Sequence, residues 1–193
     1  MSKRSPLVLG VDLGGSKILA ALVNSAGKLI SRDQSVTPAA KGPDAVIKSI
    51  LGSAGRVLEQ AGISIAELDA ISIAAAGISN PETGILFTSP HLPGWQDVPI
   101  RDIIAKELGK KTFLINDANA AALGEFHFGA GKGARHFIYI TISTGIGGGI
   151  IIDGKLYTGA SGAAGEVGHM TIDDKGPLCN CGNTGCWETA NLV

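Results

Sequence analysis

The spacing of hydrophobic and polar residues predicts strands at the start of this chain. A mostly apolar run over residues 7–13 ends at a glycine turn, a second run covers 18–23, and a short third run covers 28–30 after another turn. Apolar runs of this length, bounded by Gly, Asn and Ser, are typical of strands joined by tight turns. The sequence therefore begins with three predicted strands.

A helical period replaces this pattern over residues 43–60, where apolar side chains recur every three or four positions. Beyond it the sequence predicts a buried strand over 68–76, a helix over 99–108, a strand over 111–115 and a helix over 117–126. Strands that alternate with helices indicate an α/β fold with a mixed sheet.

One arrangement, a strand, a glycine turn, a second strand and a second turn, occurs twice. The first copy covers residues 8–29 and the second covers 137–156, and each ends in Gly-Lys-Leu. Hairpins are common enough for this likeness to arise by chance. The alternative is that both turns bind polyphosphate through backbone amides, which form an anion-binding nest. The second copy also indicates a second domain, so we expect a small α/β domain at 1–115 and the first part of a larger one at 116–193.

Composition excludes several classes of partner. The 193 residues carry 16 basic and 17 acidic side chains, a net charge of −1, so nothing in the charge points to nucleic acid or to an anionic membrane. The apolar run at 7–13 does not resemble a signal peptide, and the uncharged stretch at 137–152 is too short and too polar to span a bilayer. We expect a soluble, cytoplasmic protein that acts on a small neutral molecule.

The most specific chemical pattern is a histidine followed by three clustered cysteines. One imidazole and three thiolates form a closed tetrahedral set, which is typical of a structural Zn²⁺ site rather than of a catalytic one. The alternative is three unrelated buried cysteines. Glu166 and Glu188 flank the pattern at spacings that do not suit a fifth ligand, so we expect them to accept hydrogen bonds from sugar hydroxyls. The predicted ligands are His169, Cys179, Cys181 and Cys186.

Two carboxylates stand at the ends of predicted strands, where α/β proteins place reactive groups. Asp12 precedes a turn that is either purely structural or a phosphate site, in which the carboxylate holds hydrated Mg²⁺ and the turn amides meet phosphate oxygens. Asp117 is either a helix N-cap or the group that accepts the hydroxyl proton in phosphoryl transfer to an alcohol. The residues of the turn are Gly14, Gly15, Ser16 and Lys17.

These motifs together resemble the ROK family over the whole chain. The turn after Asp12 resembles the family's first phosphate motif, with Ser16 where threonine is frequent. The run Thr144-Gly145-Ile-Gly147 resembles the second phosphate loop. The run that starts Asn116-Asp117 resembles the segment that bears the catalytic aspartate.

The likeness extends to two sugar-binding segments. Gly77 and residues 89–95 resemble the sugar edge of the small domain, with His91 where asparagine is usual. Residues 166–169 and 179–188 are similar to the family's zinc and sugar signature, which is highly specific.

The resemblance implies the two-lobed, actin-like, ribonuclease H-type sugar kinase fold with an incomplete second lobe, because family members continue through helices that bind adenosine. It also implies ATP-dependent phosphorylation of a hexose with Mg²⁺, glucose to glucose 6-phosphate before all others, by a homo-oligomer at full length. Mannose, fructose, allose and N-acetylmannosamine stay open as substrates, and polyphosphate stays open as the donor. The implied sugar contacts are Gly77, Asn116, Asp117, Glu166, His169 and Glu188, with Asp117 as the catalytic base. The implied phosphate and Mg²⁺ contacts are Asp12, Gly14, Gly15, Ser16, Lys17, Thr144, Gly145 and Gly147.

The same family contains sugar-responsive repressors, which place a DNA-binding helix-turn-helix before the kinase-like part. The first predicted strand here starts at residue 7, so we expect no such module and prefer the kinase. A sugar-binding chain without catalysis is the third interpretation.

Overall fold

The structure is a computed structural model that describes residues 5–143 and 145–190. The chain divides after Asp117 into two compact units. Among the described residues, no helix has both the length and the apolar character needed to cross a membrane.

The first unit is built on a mixed five-stranded sheet. Its strands are β1 (Leu7–Leu13), β2 (Lys17–Asn24), β3 (Leu29–Val36), β4 (Ala70–Ala75), β5 (Ile78–Asn80), β6 (Ile85–Thr88) and β7 (Thr112–Asn116), and its helices are α1 (Pro43–Ala61) and α2 (Ile100–Leu108). The sheet order is β3-β2-β1-β4-β7, in which β1, β4 and β7 run parallel. Strands β2 and β3 run antiparallel to their neighbours, and β5 and β6 form a separate hairpin that the sequence did not predict.

The three parallel strands end at the same level. Leu13 of β1 lies beside Ala75 of β4, and Ala75 lies beside Asn116 of β7. The carboxyl ends of parallel strands share one edge of the sheet, which is where open α/β sheets bind their ligands. The fold therefore brings the segments after β1, β4 and β7 to one place.

Helix α1 covers the sheet with an apolar face. Val46, Ile50 and Val57 follow helical spacing and are fully buried. Burial of each such side chain contributes about 1.5–3 kcal/mol. Pro43 occupies the first turn, where its missing N–H costs nothing, and Gly62 ends the helix in the left-handed conformation at φ 64°.

Polar contacts, in contrast, join α1 to the edge strand β3. The hydroxyls of Ser35 and Ser53 lie 2.9 Å apart, and Arg56 donates two hydrogen bonds to Asp33, at 2.9 and 2.8 Å. Hydrogen bonding from Arg56 lowers the pKa of Asp33. Because the residues of β3 that face the helix are polar, the apolar pattern predicted a strand only over 28–30, whereas the strand continues to Val36.

The second unit repeats the three-strand arrangement at the start of the first. It contains α3 (Asp117–Phe128), whose first residue belongs to the first unit, and the strands β8 (Phe137–Ile142), β9 (Ile146–Ile152) and β10 (Lys155–Tyr157). The antiparallel order β10-β9-β8 matches β3-β2-β1. The predicted repeat is therefore present as a sheet in each unit.

Helix α3 packs closely on one face of the second sheet. A Cβ added at Gly147 would lie 3.1 Å from the Cβ of Ala118, and one at Gly149 would lie 2.5 Å from the Cβ of Ala122. The glycines of β9 thus make room for the alanines of α3.

On the opposite face of that sheet, the side chains of β8 are apolar and exposed. Ile138, Ile140 and Ile142 of β8 are 64%, 43% and 63% exposed, and Tyr157 of β10 is 50% exposed. Among the described residues β8 pairs only with β9, so its outer edge presents unpaired backbone groups.

Candidate active site and metal site

Two carboxylates meet at the carboxyl edge of the first sheet. Asp12 is the last residue but one of β1, and Asp117 follows the last residue of β7. Although the Asp12 side chain is open to solvent, desolvation by the surrounding protein raises its pKa, the negative charge of Asp117 raises it further, and Lys17 opposes both. The two carboxylates therefore repel each other, and a bound cation would relieve that repulsion.

A buried threonine holds the turn after β1. The amide of Gly14 donates to the carbonyl of Lys17 at 3.0 Å, which closes the hairpin. The Thr37 hydroxyl donates to the carbonyl of Gly14 at 2.7 Å, and the Thr37 amide donates to the carbonyl of Ser16 at 3.0 Å. Of the predicted phosphate contacts, the Gly14 amide is thus engaged in the turn itself. Thr37 was not predicted as part of the site, because it follows a strand that was predicted too short.

The segment after β4 lies directly on the end of β6. Gly77 has φ 117°, a conformation that favours glycine. A Cβ at Gly77 would lie 2.8 Å from the Cα of Ser89 and 3.1 Å from the carbonyl carbon of Thr88. The predicted sugar edge at Gly77 is therefore lined by the chain that leaves β6.

Asn116 and Asp117 occupy the junction of β7 and α3, as predicted. Asn116 ends the strand, Asp117 begins the helix, and both side chains are half-buried. A carboxylate in the first turn of a helix interacts favourably with the helix dipole.

The four predicted metal ligands converge in the second unit. Short turns replace regular structure here: the amide of Gly182 donates to the carbonyl of Cys179 at 2.9 Å, and the amide of Cys179 donates to the carbonyl of Asn183 at 2.7 Å. Gly182 and Gly185 adopt φ of 90° and 68°, which the tight loop requires. The ligand atoms of His169, Cys179, Cys181 and Cys186 all lie within 4.8 Å of one another.

The separations of these atoms fit a tetrahedral Zn²⁺ site. The sulfurs of Cys181 and Cys186 are 3.6 Å apart, and the sulfur of Cys179 is 3.7 Å from Nδ1 of His169. Zinc–ligand bonds of about 2.3 Å to sulfur and 2.0–2.1 Å to nitrogen give tetrahedron edges of about 3.6–3.8 Å. A hydrogen bond from the backbone of Asn183 lowers the pKa of Cys181, which favours the thiolate that zinc requires. Burial raises the pKa of Cys186, and, against an opposing backbone hydrogen bond from Cys181, the contact with Glu188 raises the pKa of Cys179.

The carboxylates of the two glutamates in this region lie near different ring nitrogens of His169. Oε2 of Glu166 is 3.9 Å from Nε2, and Oε1 of Glu188 is 3.4 Å from Nδ1. Oε1 of Glu188 also lies 3.0 Å from the sulfur of Cys179. Glu188 therefore lies against two predicted zinc ligands, whereas Glu166 is 48% exposed beside the other nitrogen.

The turn between β8 and β9 reaches the same region. A Cβ at Gly145 would lie 2.9 Å from Oε2 of Glu188, so this glycine of the predicted second phosphate loop lies beside the glutamate that contacts the predicted zinc ligands. Gly147 lies against α3 instead, as described above. Thr144, the remaining predicted phosphate contact, lies outside the described residues.

Comparison with known proteins gives a consistent picture. The family model described as the ROK family matches residues 8–191. A glucokinase of Thermotoga maritima is 42% identical over 181 residues, which cover 94% of this chain and 56% of that protein. The xylose repressor of Bacillus subtilis is 36% identical over 187 residues, which cover 97% of this chain and 48% of the repressor. The chain thus spans about half the length of these relatives.

Solved structures share the fold. A ROK hexokinase from Thermus thermophilus superposes with a TM-score of 0.83 at 40% identity, covering 94% of this chain and 59% of that one. A ROK family glucokinase from Streptomyces griseus, in complex with glucose and AMPPNP, gives 0.84 at 38% identity, covering 94% and 56%. The predicted actin-like sugar kinase fold is confirmed.

Proposed function

The chain belongs to the ROK family, and on that premise we propose that it serves the ATP-dependent phosphorylation of a hexose, with glucose as the first candidate. The observation that carries the proposal is the meeting of Asp12 and Asp117 at the carboxyl edge of parallel strands, close enough for the charge of one to raise the pKa of the other. Phosphoryl transfer to an alcohol needs one carboxylate for a metal ion and one for the proton.

Each residue has a defined task in this proposal. Asp12 holds Mg²⁺ through its water shell, and the turn that follows contacts the phosphates through Gly15, Ser16 and Lys17. Mg²⁺, when bound, neutralises charge on the transferred phosphoryl group. Asp117 accepts the proton of the sugar hydroxyl, a contribution of about 100- to 10,000-fold.

The sugar hydroxyls are recognised by fixed polar groups. Gly77 offers a backbone edge two residues after Ala75, the β4 residue that lies beside Asn116, and Asp117 follows Asn116. In the second unit Glu166 and Nε2 of His169 form one polar pair, 3.9 Å apart, while Glu188 is the third sugar contact that we propose there. Sites that hydrogen-bond a hydroxyl discriminate strongly against analogues that lack it.

Structural Zn²⁺ at His169 and the three cysteines would keep these side chains in place. With Nδ1 facing the thiolates, Nε2 of His169 is left to face the substrate, and the metal fixes the orientation of the ring. The metal would therefore aid substrate binding by orienting the His169 side chain, without taking part in the reaction.

Glucose is the first candidate substrate because several similar proteins are glucokinases. Glucokinases of Thermotoga maritima and Streptomyces coelicolor are 42% and 40% identical, and the Streptomyces griseus structure contains glucose. Mannose, fructose, allose and N-acetylmannosamine stay as alternatives. A protein described as a putative N-acetylmannosamine kinase, from Listeria monocytogenes, shares the fold at 26% identity.

A sugar sensor without turnover is the second candidate, since the xylose repressor of Bacillus subtilis matches 97% of this chain. The deciding experiment measures phosphorylation of a hexose panel with ATP and with polyphosphate. It uses the 193-residue chain alone and joined to the C-terminal part of a glucokinase relative. Turnover in the joined protein that Asp117→Asn abolishes supports the kinase. Sugar binding without turnover in both proteins supports the sensor.

A further inference from the structure

Residues 88–91 touch two glycines that stand after different parallel strands. One is Gly15, in the turn after β1 that we assign to phosphate. The other is Gly77, the sugar edge after β4. A single short run of chain therefore lies against both proposed subsites of the first unit.

The contact at Gly15 is steric. A Cβ added there would lie 2.9 Å from the carbonyl oxygen of His91, 3.3 Å from its Cα and closer still to its Cβ. Real Cβ atoms do not approach other atoms within about 3.0 Å, because van der Waals repulsion rises steeply there. Gly15 is not among the glycines with positive φ, so the position of His91, and not backbone conformation, requires glycine.

The contact at Gly77 is equally close, since Ser89 and Thr88 fill the place where a side chain would stand. The same run also carries one buried polar atom without a hydrogen-bond partner. Ser89 Oγ is fully buried and has no partner among the described residues, and the same is true of Trp95 Nε1 a few residues further along the chain. A buried polar atom without a partner is unfavourable, so a shift of this segment that gives these atoms partners is favoured.

We propose that residues 88–91 couple sugar binding at Gly77 to the arrangement of the phosphate turn, with His91 as a positioning residue that acts through Gly15. The inference rests on the proposed function. The contact is made by the Cβ and carbonyl of His91, which asparagine also possesses. Exchange of His for Asn at this position therefore preserves the coupling.

The first test measures the contact without any ligand, by thermal unfolding of the chain. Gly15→Ala should lower the melting temperature. His91→Gly should restore part of the loss, because it removes the nearest clashing atom, whereas His91→Ala keeps that atom and should restore nothing. Equal rescue by both changes, or no loss in Gly15→Ala, overturns the contact.

The second test measures the coupling. Glucose affinity is determined by calorimetry with and without saturating Mg²⁺ and tripolyphosphate, a probe that needs no adenosine site. The wild-type chain should bind glucose about 5-fold or more tightly when tripolyphosphate is present, which is the lower end of usual coupling between sites. His91→Gly should lose this factor and bind glucose equally tightly with and without tripolyphosphate, whatever its basal affinity.

Gln96→Gly is the matched control, because it loosens an exposed position shortly after residues 88–91, away from Gly15, and should keep the coupling. Coupling that persists in His91→Gly, or that is lost in Gln96→Gly as well, overturns the inference while the proposed function stands. A wild-type chain that binds neither glucose nor tripolyphosphate overturns the proposed function itself.

Discussion

Replacement of Cys181 by alanine should release the metal and disorder the loop around it. Cys181 is exposed while Cys179 and Cys186 are buried, so alanine at 181 leaves no cavity and the change removes a ligand and little else. The remaining three donors cannot complete the closed tetrahedral set that structural zinc requires.

The size of the effect can be worked out from the free energy needed to order the metal-binding loop. Its eight residues, 179–186, cost about 8–16 kcal/mol of backbone entropy at about 1–2 kcal/mol per residue. Structural Zn²⁺ supplies about 10–16 kcal/mol, which offsets that cost. Apolar burial supplies little, since Met170, Ile172 and Leu178 beside the loop are 53%, 56% and 76% exposed.

The assay combines elemental analysis with hydrogen exchange. Wild-type protein purified without chelator should contain one equivalent of zinc, and its amides over 166–188 should be protected. Cys181→Ala should lose both together, while exchange in β1 and β4 stays unchanged. Asn180→Ala, at the exposed neighbouring position, is the matched control and should keep the metal. Wild-type protein without metal, or a Cys181→Ala protein with unchanged protection, would refute the reasoning.

Three further predictions concern catalysis, charge and association. In the chain joined to a relative's C-terminal part, Asp117→Asn should lower turnover about 100- to 10,000-fold and leave glucose affinity unchanged. Asp44→Asn, in the first turn of α1, is the control and should change neither. An unchanged turnover rate in Asp117→Asn would mean that Asp117 only caps the helix. The pKa of Asp12 is raised, so its charged form costs stability above that pKa and costs nothing below the ordinary carboxyl range. Asp12→Asn should therefore melt higher than wild type at pH 7, with a difference that shrinks on acidification, and a lower melting point at neutral pH contradicts this. The 193-residue chain should self-associate through the exposed face of β8, and Ile140→Lys should reduce its sedimentation-measured mass, whereas Val36→Lys, on another exposed strand, should not.

The parts of the fold that depend on apolar periodicity were predictable. The ends of β1, α1 and α2 follow the sequence pattern within a few residues, because most of the side chains that they bury are apolar. The edge strand β3 was predicted too short, since hydrogen bonds replace apolar contacts on its inner side. The hairpin of β5 and β6 was missed because its strands have only three and four residues.

The candidate site shows the same division. The spacing of histidine and cysteines predicted a ligand set that the structure brings together. Spacing could not predict that Glu188 lies against Cys179, or that Gly147 serves the packing of α3, because both depend on tertiary contacts between distant segments. A glycine-rich turn has the same amino-acid sequence whether it contacts a phosphate or packs against a helix.

The polar contacts between α1 and β3 affect how this sheet responds to low temperature. Apolar contacts weaken on cooling because their free energy is largely entropic near room temperature. The bonds of Ser35 with Ser53 and of Arg56 with Asp33 do not depend on that term. As temperature falls, these polar contacts should therefore keep α1 attached to β3 while the apolar contacts of α1 with the rest of the sheet weaken. The edge strand β3 should then be among the last parts of the sheet to open in the cold.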